Sequence, residues 1–143
     1  MLYLLLQLGG DRYALDAGSV VEVLPLVELR HLPQAPPGIA GIFSYHGTPV
    51  PVLDLCLLAL GRPVRRRFST RIVLVALPDS ERLLGLMAEQ VTQTLRRAPE
   101  DFRVGGGTGA GWLGPVTSDA AGLIQRIEAG RLLPPAAREV LFA

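Results

Sequence analysis

The sequence contains no lysine and only one cysteine, and this composition excludes several kinds of chemistry. All 14 basic residues are arginine, so a lysine Schiff base, a lysine nucleophile and a P-loop lysine are all excluded. The one thiol, Cys56, cannot form an internal disulfide, and a lone cysteine fits a reducing compartment. Because its neighbours in DLCLLAL are apolar, we expect Cys56 to be buried and unreactive.

Histidine is almost as scarce, and only His31 and His46 are present. Neither a C-x-x-C nor an H-E-x-x-H spacing occurs, so the sequence gives no reason to expect a metal site. The formal net charge is only +1, which gives no general attraction to nucleic acid or to acidic lipid.

Long hydrophobic runs are missing as well. The first run ends at Leu8, far short of the ~20 residues that span a bilayer. It has no basic segment before it and no small-residue cleavage site, so it predicts a first β-strand and not a signal peptide. The chain is nevertheless 49% hydrophobic with a mean hydropathy of +0.35, and we expect some apolar surface to remain for partners.

Glycine and proline divide the chain into short β-rich segments. The pattern predicts about nine or ten strands at a spacing of roughly 8–12 residues, which is typical of an all-β barrel or a pair of barrels. RIVLVAL at 71–77 is the clearest strand, and residues 82–91 are its expected hairpin partner. Asp16 is expected to cap a helical turn with Val20 and Val23 on one face. A short apolar helical turn is expected before Gly61, and a short amphipathic helix is expected at the C-terminus.

The stretch GIFSYHGTPVPVLDL at 41–55 has two interpretations. In the catalytic one, Ser44, His46 and Asp54 would act together in a hydrolase, but the chain has no G-x-S-x-G motif. In the other, His46 lies at a turn facing solvent or a partner, and Asp54 caps a helix. Two prolines, Pro49 and Pro51, predict an edge strand or the beginning of a strand, since neither can donate a backbone hydrogen bond.

Two further segments invite a ligand-binding interpretation. The glycine-rich stretch at 103–114 lacks both G-x-G-x-x-G spacing and a lysine, so it predicts a mobile hairpin loop and not a phosphate cradle. Arg65–Arg67, followed by Phe68, suggests a contact with nucleic acid, membrane or protein, or simply a solvated connector. The near-neutral net charge counts against nucleic acid.

The order of five segments resembles the CheW family along nearly the whole chain. They are YALDAGSVVEVL at 13–24, LPQAPPGIAG at 32–41, GIAGIFSYHGTPVPVLDL at 38–55, RIVLVAL with LLGLMAEQVTQTL at 71–95, and WLGPV with GLIQRIEAGRLL at 112–133. The resemblance implies a single domain over residues 1–143, made of two intertwined SH3-like β-barrels with short helical turns and a short C-terminal helix.

The resemblance also implies a non-catalytic signalling adaptor without a cofactor. Such an adaptor couples the cytoplasmic tip of a methyl-accepting chemoreceptor to the regulatory domain of a CheA-type histidine kinase. We therefore expect a cytoplasmic protein that is recruited to membrane-associated receptor arrays, binds no nucleic acid and does not insert into the membrane.

Seven positions match functional or structural positions of that family. The receptor-binding groove is expected at Val20, Glu22, His46 and Arg71. Gly41, Gly47 and Gly85 match glycines of tight turns and strand crossings, where backbone geometry requires them.

Three departures suggest a specialised member of the family. His46 replaces an arginine, Glu89–Gln90 replaces an Asp-Gly pair, and an aspartate is lost around Arg126. Since histidine cannot replace the bidentate arginine fork, the partner is expected to be a divergent receptor or kinase, as in a pathway controlling surface behaviour, pili or a second messenger. A small β-barrel enzyme or nucleotide-binding module using His46, Asp54 and the glycine loop is the alternative, and an RNA-binding barrel using Arg65–Arg67 is a third.

Overall fold

A computed structural model describes residues 1–78, 80–104 and 111–142. Within these ranges ten strands dominate, which confirms the predicted all-β class. The strands are β1 Leu2–Leu8, β2 Asp11–Asp16, β3 Val20–Pro25, β4 Ile39–Tyr45, β5 Thr48–Asp54, β6 Arg71–Ala76, β7 Leu83–Ala88, β8 Gln90–Arg96, β9 Leu113–Asp119 and β10 Gly122–Ile127. The helices are α1 Leu55–Leu60 and α2 Pro135–Leu141, with 3-10 turns at Ala17–Ser19, Pro99–Asp101 and Ala129–Arg131.

The strands form two five-stranded sheets with the same internal plan. The order is β8-β1-β2-β10-β9 in the first sheet and β3-β6-β7-β5-β4 in the second. In each sheet the third and fourth strands are parallel, and every other neighbouring pair is antiparallel. The two halves of the fold are therefore built alike.

A single backbone bridge closes each sheet on itself. After β3, Arg30 exchanges two hydrogen bonds with Ile42 of β4, with N···O distances of 2.8 and 2.9 Å. After β8, Arg103 does the same with Val116 of β9, at 2.7 and 2.8 Å. Because each bridge joins the segment that follows one outer strand to the other outer strand of the same sheet, both sheets are closed SH3-like barrels with protected edges.

Strand β1 is buried on both faces, and this explains its continuous apolar sequence. Alternate side chains point to opposite sides of a strand. On one side, Leu6 and Leu8 enter a large core that also contains Leu53 and Leu86 of the second barrel. On the other side lies a smaller cluster of Tyr3, Leu5, Ala14, Phe102 and Ile124. The larger core is thus shared by the two barrels.

The helical turn after β2 is shorter than the sequence predicts. Asp16 does cap it, since its carboxylate accepts a hydrogen bond from the backbone N–H of Gly18 at 2.9 Å. The turn ends at Ser19, however, so the expectation that Val20 and Val23 lie on a helical face is wrong. Both belong to β3, because β-branched residues favour the extended strand that pairs with β6.

The edge-strand interpretation of Pro49 and Pro51 is also wrong, because β5 lies between β7 and β4. Their position within β5 explains why prolines are tolerated there. Parallel pairing with β7 begins only at Val52, so the first half of β5 pairs with β4 alone. The prolines therefore occupy the beginning of the strand, which was the other expected place.

The remaining predicted elements are where the patterns put them. Strands β6 and β7 form a hairpin in register from Arg71 with Ala88 to Ala76 with Leu83. Helix α1 ends at Gly61, whose φ is +72°, and a short C-terminal helix is present. Among the described residues, no helix is long and apolar enough to cross a membrane. The glycine loop at 105–110 lies outside the described residues.

Candidate functional site

Closure of the second barrel brings its two outer strands together at Glu22 and Tyr45. The phenol of Tyr45, at the end of β4, donates a hydrogen bond of 2.7 Å to Oε1 of Glu22 on β3. This hydrogen bond raises the pKa of Tyr45, because it stabilises the protonated phenol. The ring of Tyr45 also packs edge-on against the imidazole of His46, with 4.3 Å between ring centroids. We call Glu22, Tyr45 and His46 the closure cluster.

The turn between β4 and β5 fixes the backbone that carries His46. The φ angles of His46 and Gly47 are 49° and 83°, and two positive values are what a type I′ hairpin turn requires. A Cβ at Gly47 would meet nothing within 4 Å, so this position needs glycine for its backbone conformation and not for space. His46 is therefore held at the tip of a tight turn.

Strand β3 exposes apolar side chains beside the closure cluster. Val21 is 49% exposed and Val23 is 39% exposed, and both flank Glu22 along the strand. A bulge between Val20 and Glu22 interrupts the pairing with β6, and such bulges blunt an open strand edge. These two exposed valines form a short apolar strip along β3, on either side of Glu22 in the sequence.

Arg71 lies apart from the closure cluster. It pairs with Pro25 at the far end of β3, whereas Glu22 pairs with Leu74, about 10 Å further along β6. Its guanidinium donates hydrogen bonds to the backbone carbonyls of Thr70, at 2.9 Å, and of Phe68. The structure thus brings Glu22 and His46 together and does not bring Arg71 to them.

Gly41 and Gly85 lie within strands, unlike Gly47. A Cβ at Gly41 would lie 2.6 Å from the carbonyl oxygen of Arg30, so a side chain there would block the bridge that closes the second barrel. A Cβ at Gly85 would lie 3.0 Å from methyl groups on both neighbouring strands, β5 and β6. Close approach of the backbone explains the first glycine, and tight packing between strands explains the second.

The residues of the catalytic interpretation do not form a site. His46 precedes β5 and Asp54 ends it, which separates the two by roughly 20 Å of extended strand. Asp54 is buried and accepts hydrogen bonds from the backbone N–H groups of Leu57 at 3.1 Å and Val64 at 2.9 Å. The prediction that Asp54 caps a helix is confirmed, and its second oxygen accepts the hydrogen bond from Val64 beyond that helix.

Cys56 is buried as predicted, with no exposed surface. Burial raises the pKa of its thiol to about 12, so almost no nucleophilic thiolate exists near neutral pH. Among residues 1–78, 80–104 and 111–142, no three side chains of histidine, cysteine, aspartate or glutamate are grouped to hold a metal ion.

Sequence reasoning missed the structural importance of Glu89, which connects the two barrels. It lies between β7 of the second barrel and β8 of the first. Its carboxylate accepts two hydrogen bonds from Arg62 at 3.0 Å each, and one each from the backbone N–H groups of Gly9 and Arg65 at 2.8 Å. These bonds, above all those from Arg62, lower the pKa of Glu89 to about 2. Only its position at a crossover between strands could have indicated this role.

The second barrel therefore exposes two valines of β3 and the closure cluster, and the residues of the catalytic interpretation do not come together. A family model described as the CheW-like domain matches residues 2–134. The chain therefore belongs to the CheW-like domain family, whose members are non-catalytic scaffold proteins and not enzymes. The predicted family and the predicted SH3-like fold are both confirmed.

Individual relatives are distant in sequence. The chain is 24% identical to the chemotaxis protein CheW of Klebsiella aerogenes over 101 residues, which is 71% of this chain and 60% of that protein. It also resembles the crystal structure of the scaffolding protein TtCheW from Thermoanaerobacter tengcongensis, with a TM-score of 0.83 and 22% identity. That match covers 98% of this chain and 92% of the other, and it shows that the fold is shared.

Proposed function

We propose that the chain is a chemosensory coupling adaptor that binds both a methyl-accepting chemoreceptor and a CheA-type histidine kinase. The family match over residues 2–134 is the observation that carries this proposal. In this role the protein acts in the cytoplasm and is recruited to membrane-associated receptor arrays. It recognises the cytoplasmic tip of the receptor and the regulatory domain of the kinase.

We propose β3 and the closure cluster as the groove that receives the receptor tip. Val20 and Glu22 provide the strand side of the groove, and His46 provides the turn side. Arg71 would extend the groove at the far end of β3, where it pairs with Pro25. The hydrogen bond between Tyr45 and Glu22 supports this assignment, because a groove that is already ordered loses less entropy on binding.

The histidine at position 46 suggests a divergent partner. An arginine there could bond a carboxylate or phosphate in a bidentate manner, whereas an imidazole makes single hydrogen bonds. His46 instead packs against Tyr45. We infer that the receptor or kinase that binds this protein lacks the acidic group that an arginine would recognise.

Both barrels are proposed to act as one domain. The large core contains residues of both barrels. Glu89 connects the β1–β2 hairpin, through Gly9, to the segment after α1, through Arg62. A single unfolding transition, seen alike by circular dichroism and by the fluorescence of Trp112, would support this arrangement. Two separate transitions would contradict it.

The adaptor function is tested by titrating the purified chain with the regulatory domain of its cognate kinase and, separately, with a receptor tip. Calorimetry should show micromolar binding to each, because interfaces on a surface this small bury no more than about 800 Å² per partner and avidity in an array adds the rest. Failure to bind either partner would refute the adaptor function.

Two valine substitutions test the position of the groove separately from the adaptor function. Val21→Arg places a charge in the exposed strip and should weaken receptor-tip binding by about tenfold or more. Val140→Arg is the matched control, because Val140 is 64% exposed and belongs to a different element, α2. If both variants bind the receptor tip like the parent chain, the groove is placed wrongly but the adaptor role stands. His46→Arg then tests the partner: tighter binding to a receptor from a standard pathway would support the divergence of the natural one.

A further inference from the structure

A depression of about 520 Å³ carries three arginines from three separate parts of the chain. Arg82 precedes β7, Arg131 ends the 3-10 turn after β10, and Arg138 lies in α2. Arg82 is distant in sequence from the other two, and Arg131 and Arg138 lie on different elements. Their convergence therefore results from the fold and not from a run of arginines in the sequence. The closure cluster lies elsewhere and shares no residue with this depression.

The charge of these arginines is not neutralised by the described part of the chain. The ion pairs found there are Arg12–Asp119, Arg62–Glu89 and Arg126–Glu128. Among the described residues, the lining of the depression includes no acidic side chain. Guanidinium groups that converge on one depression repel one another, since like charges at short range do so even in water. An anion bound between them would turn this repulsion into attraction.

The rim and floor of the depression are ordered before any ligand binds. The guanidinium carbon of Arg82 lies 5.2 Å from the centroid of the Phe142 ring, a cation–π contact that restricts this side chain. Leu133 is buried beneath the depression, and Pro134 and Pro135 fix the backbone that leads into α2. These contacts reduce the ordering that binding requires at Arg82 and in the backbone, whereas the exposed side chain of Arg131 becomes ordered only on binding.

We propose that this depression binds a small phosphate-bearing anion, with a diphosphate group held by Arg82, Arg131 and Arg138. Arginine forks match phosphate oxygens in a bidentate manner, and three of them around one hollow suit a compact polyanion. An extended acidic peptide spreads its carboxylates along several residues and fits this arrangement less well. The volume is that of a small-molecule site, and the apolar floor can receive the uncharged part of a nucleoside diphosphate.

The experiment is a calorimetric titration of the full chain with inorganic pyrophosphate, with a nucleoside diphosphate and with a hexaglutamate peptide. We expect saturable 1:1 binding of both phosphate ligands, with the nucleoside diphosphate binding at least as tightly. Arg131→Gln and Arg138→Gln should each weaken pyrophosphate binding by about tenfold or more, because each removes a charge-assisted hydrogen bond.

A matched pair of triple variants controls for net charge. Changing Arg82, Arg131 and Arg138 to glutamine should abolish saturable binding. Changing Arg65, Arg66 and Arg67 to glutamine removes the same charge from another loop and should alter the affinity by less than about threefold. Circular dichroism verifies the fold of each, and Arg131→Gln tests the site by itself if the first triple variant does not fold, since Arg131 is exposed.

Several results would overturn the proposal. These are no saturable binding of either phosphate ligand at millimolar concentration, unchanged binding in the Arg82, Arg131 and Arg138 variant, or loss of binding in the control variant instead. Tighter binding of hexaglutamate than of pyrophosphate would assign the depression to an acidic peptide. None of these outcomes depends on whether the chain binds a receptor or a kinase.

Discussion

Replacing Glu89 by glutamine should destabilise the whole molecule, because this carboxylate connects the two barrels. The substitution keeps the size of the side chain and removes its charge. One oxygen now faces Arg62 and the backbone N–H of Gly9, and the other faces Arg62 and the backbone N–H of Arg65. A glutamine offers one acceptor oxygen instead of two and directs an NH₂ group at donors.

The lowered pKa of Glu89 indicates how much its charge contributes to the free energy of unfolding. The fall from 4.5 to about 2 corresponds to about 3 kcal/mol at neutral pH, since a tenfold change in proton affinity equals about 1.4 kcal/mol. Because the side chain of Arg62 is 32% exposed, solvent screens part of this interaction. We therefore expect Glu89→Gln to lower the free energy of unfolding by about 2 kcal/mol and the melting temperature by roughly 5–8 °C.

The pH dependence of the stability difference between parent and variant shows whether the lost charge causes it. Glu89 has a lower pKa in the folded protein than in the unfolded chain, so its charge stabilises the fold fully above about pH 4.5. That contribution is lost as the pH falls towards about 2. The difference between parent and variant in denaturant unfolding should therefore be largest near neutral pH and less than half as large near pH 3.

Glu128→Gln is the matched control, because Glu128 also pairs with an arginine but is 36% exposed. It should change the free energy of unfolding by less than about 1 kcal/mol. A Glu89→Gln variant as stable as the parent at neutral pH would refute the reasoning. So would a difference of the same size near pH 3, which would indicate a packing defect and not a lost charge.

Three further predictions concern the two aspartate caps, the turn at His46 and the thiol of Cys56. Asp54→Ala should lower the free energy of unfolding by about 2–4 kcal/mol, because it removes a helix cap and leaves the buried N–H of Val64 without an acceptor. Asp16→Ala removes only a cap and should lower it by about 1 kcal/mol. Equal losses for the two variants in urea unfolding would contradict this. His46→Asn should raise stability by a few tenths of a kcal/mol, since asparagine tolerates positive φ better, and a lower melting temperature would argue against a strained turn. Cys56 should resist a thiol reagent near pH 8 in the folded chain and react once urea unfolds it, so rapid reaction of the folded protein would be the contrary result.

The sequence predicted the parts of the fold that depend on neighbours along the chain. The β6–β7 hairpin, the caps at Asp16 and Asp54 and the burial of Cys56 all follow from local composition. The family resemblance added the two-barrel architecture, which periodicity alone left as one barrel or two.

The features that the sequence did not predict depend on residues that are distant along the chain. The bridge from Arg30 to Ile42 and the four hydrogen bonds to Glu89 form only when the barrels close. Pro49 was compatible with an edge strand or with the beginning of a strand, because sequence patterns do not show where the pairing of a neighbouring strand begins. The contact between Glu22 and Tyr45 was likewise invisible, since it joins opposite margins of one sheet.

The order of the strands has a consequence for synthesis on the ribosome. The second barrel uses the continuous stretch from β3 to β7, whereas the first needs β1 and β2 together with β8, β9 and β10. The second barrel can therefore close while the chain is still being made, but the first hairpin must wait for the last strand. During that delay the face of β1 that carries Tyr3 and Leu5 lacks its late partners Phe102 and Ile124. The N-terminal hairpin therefore keeps apolar surface exposed until the last strands have been made.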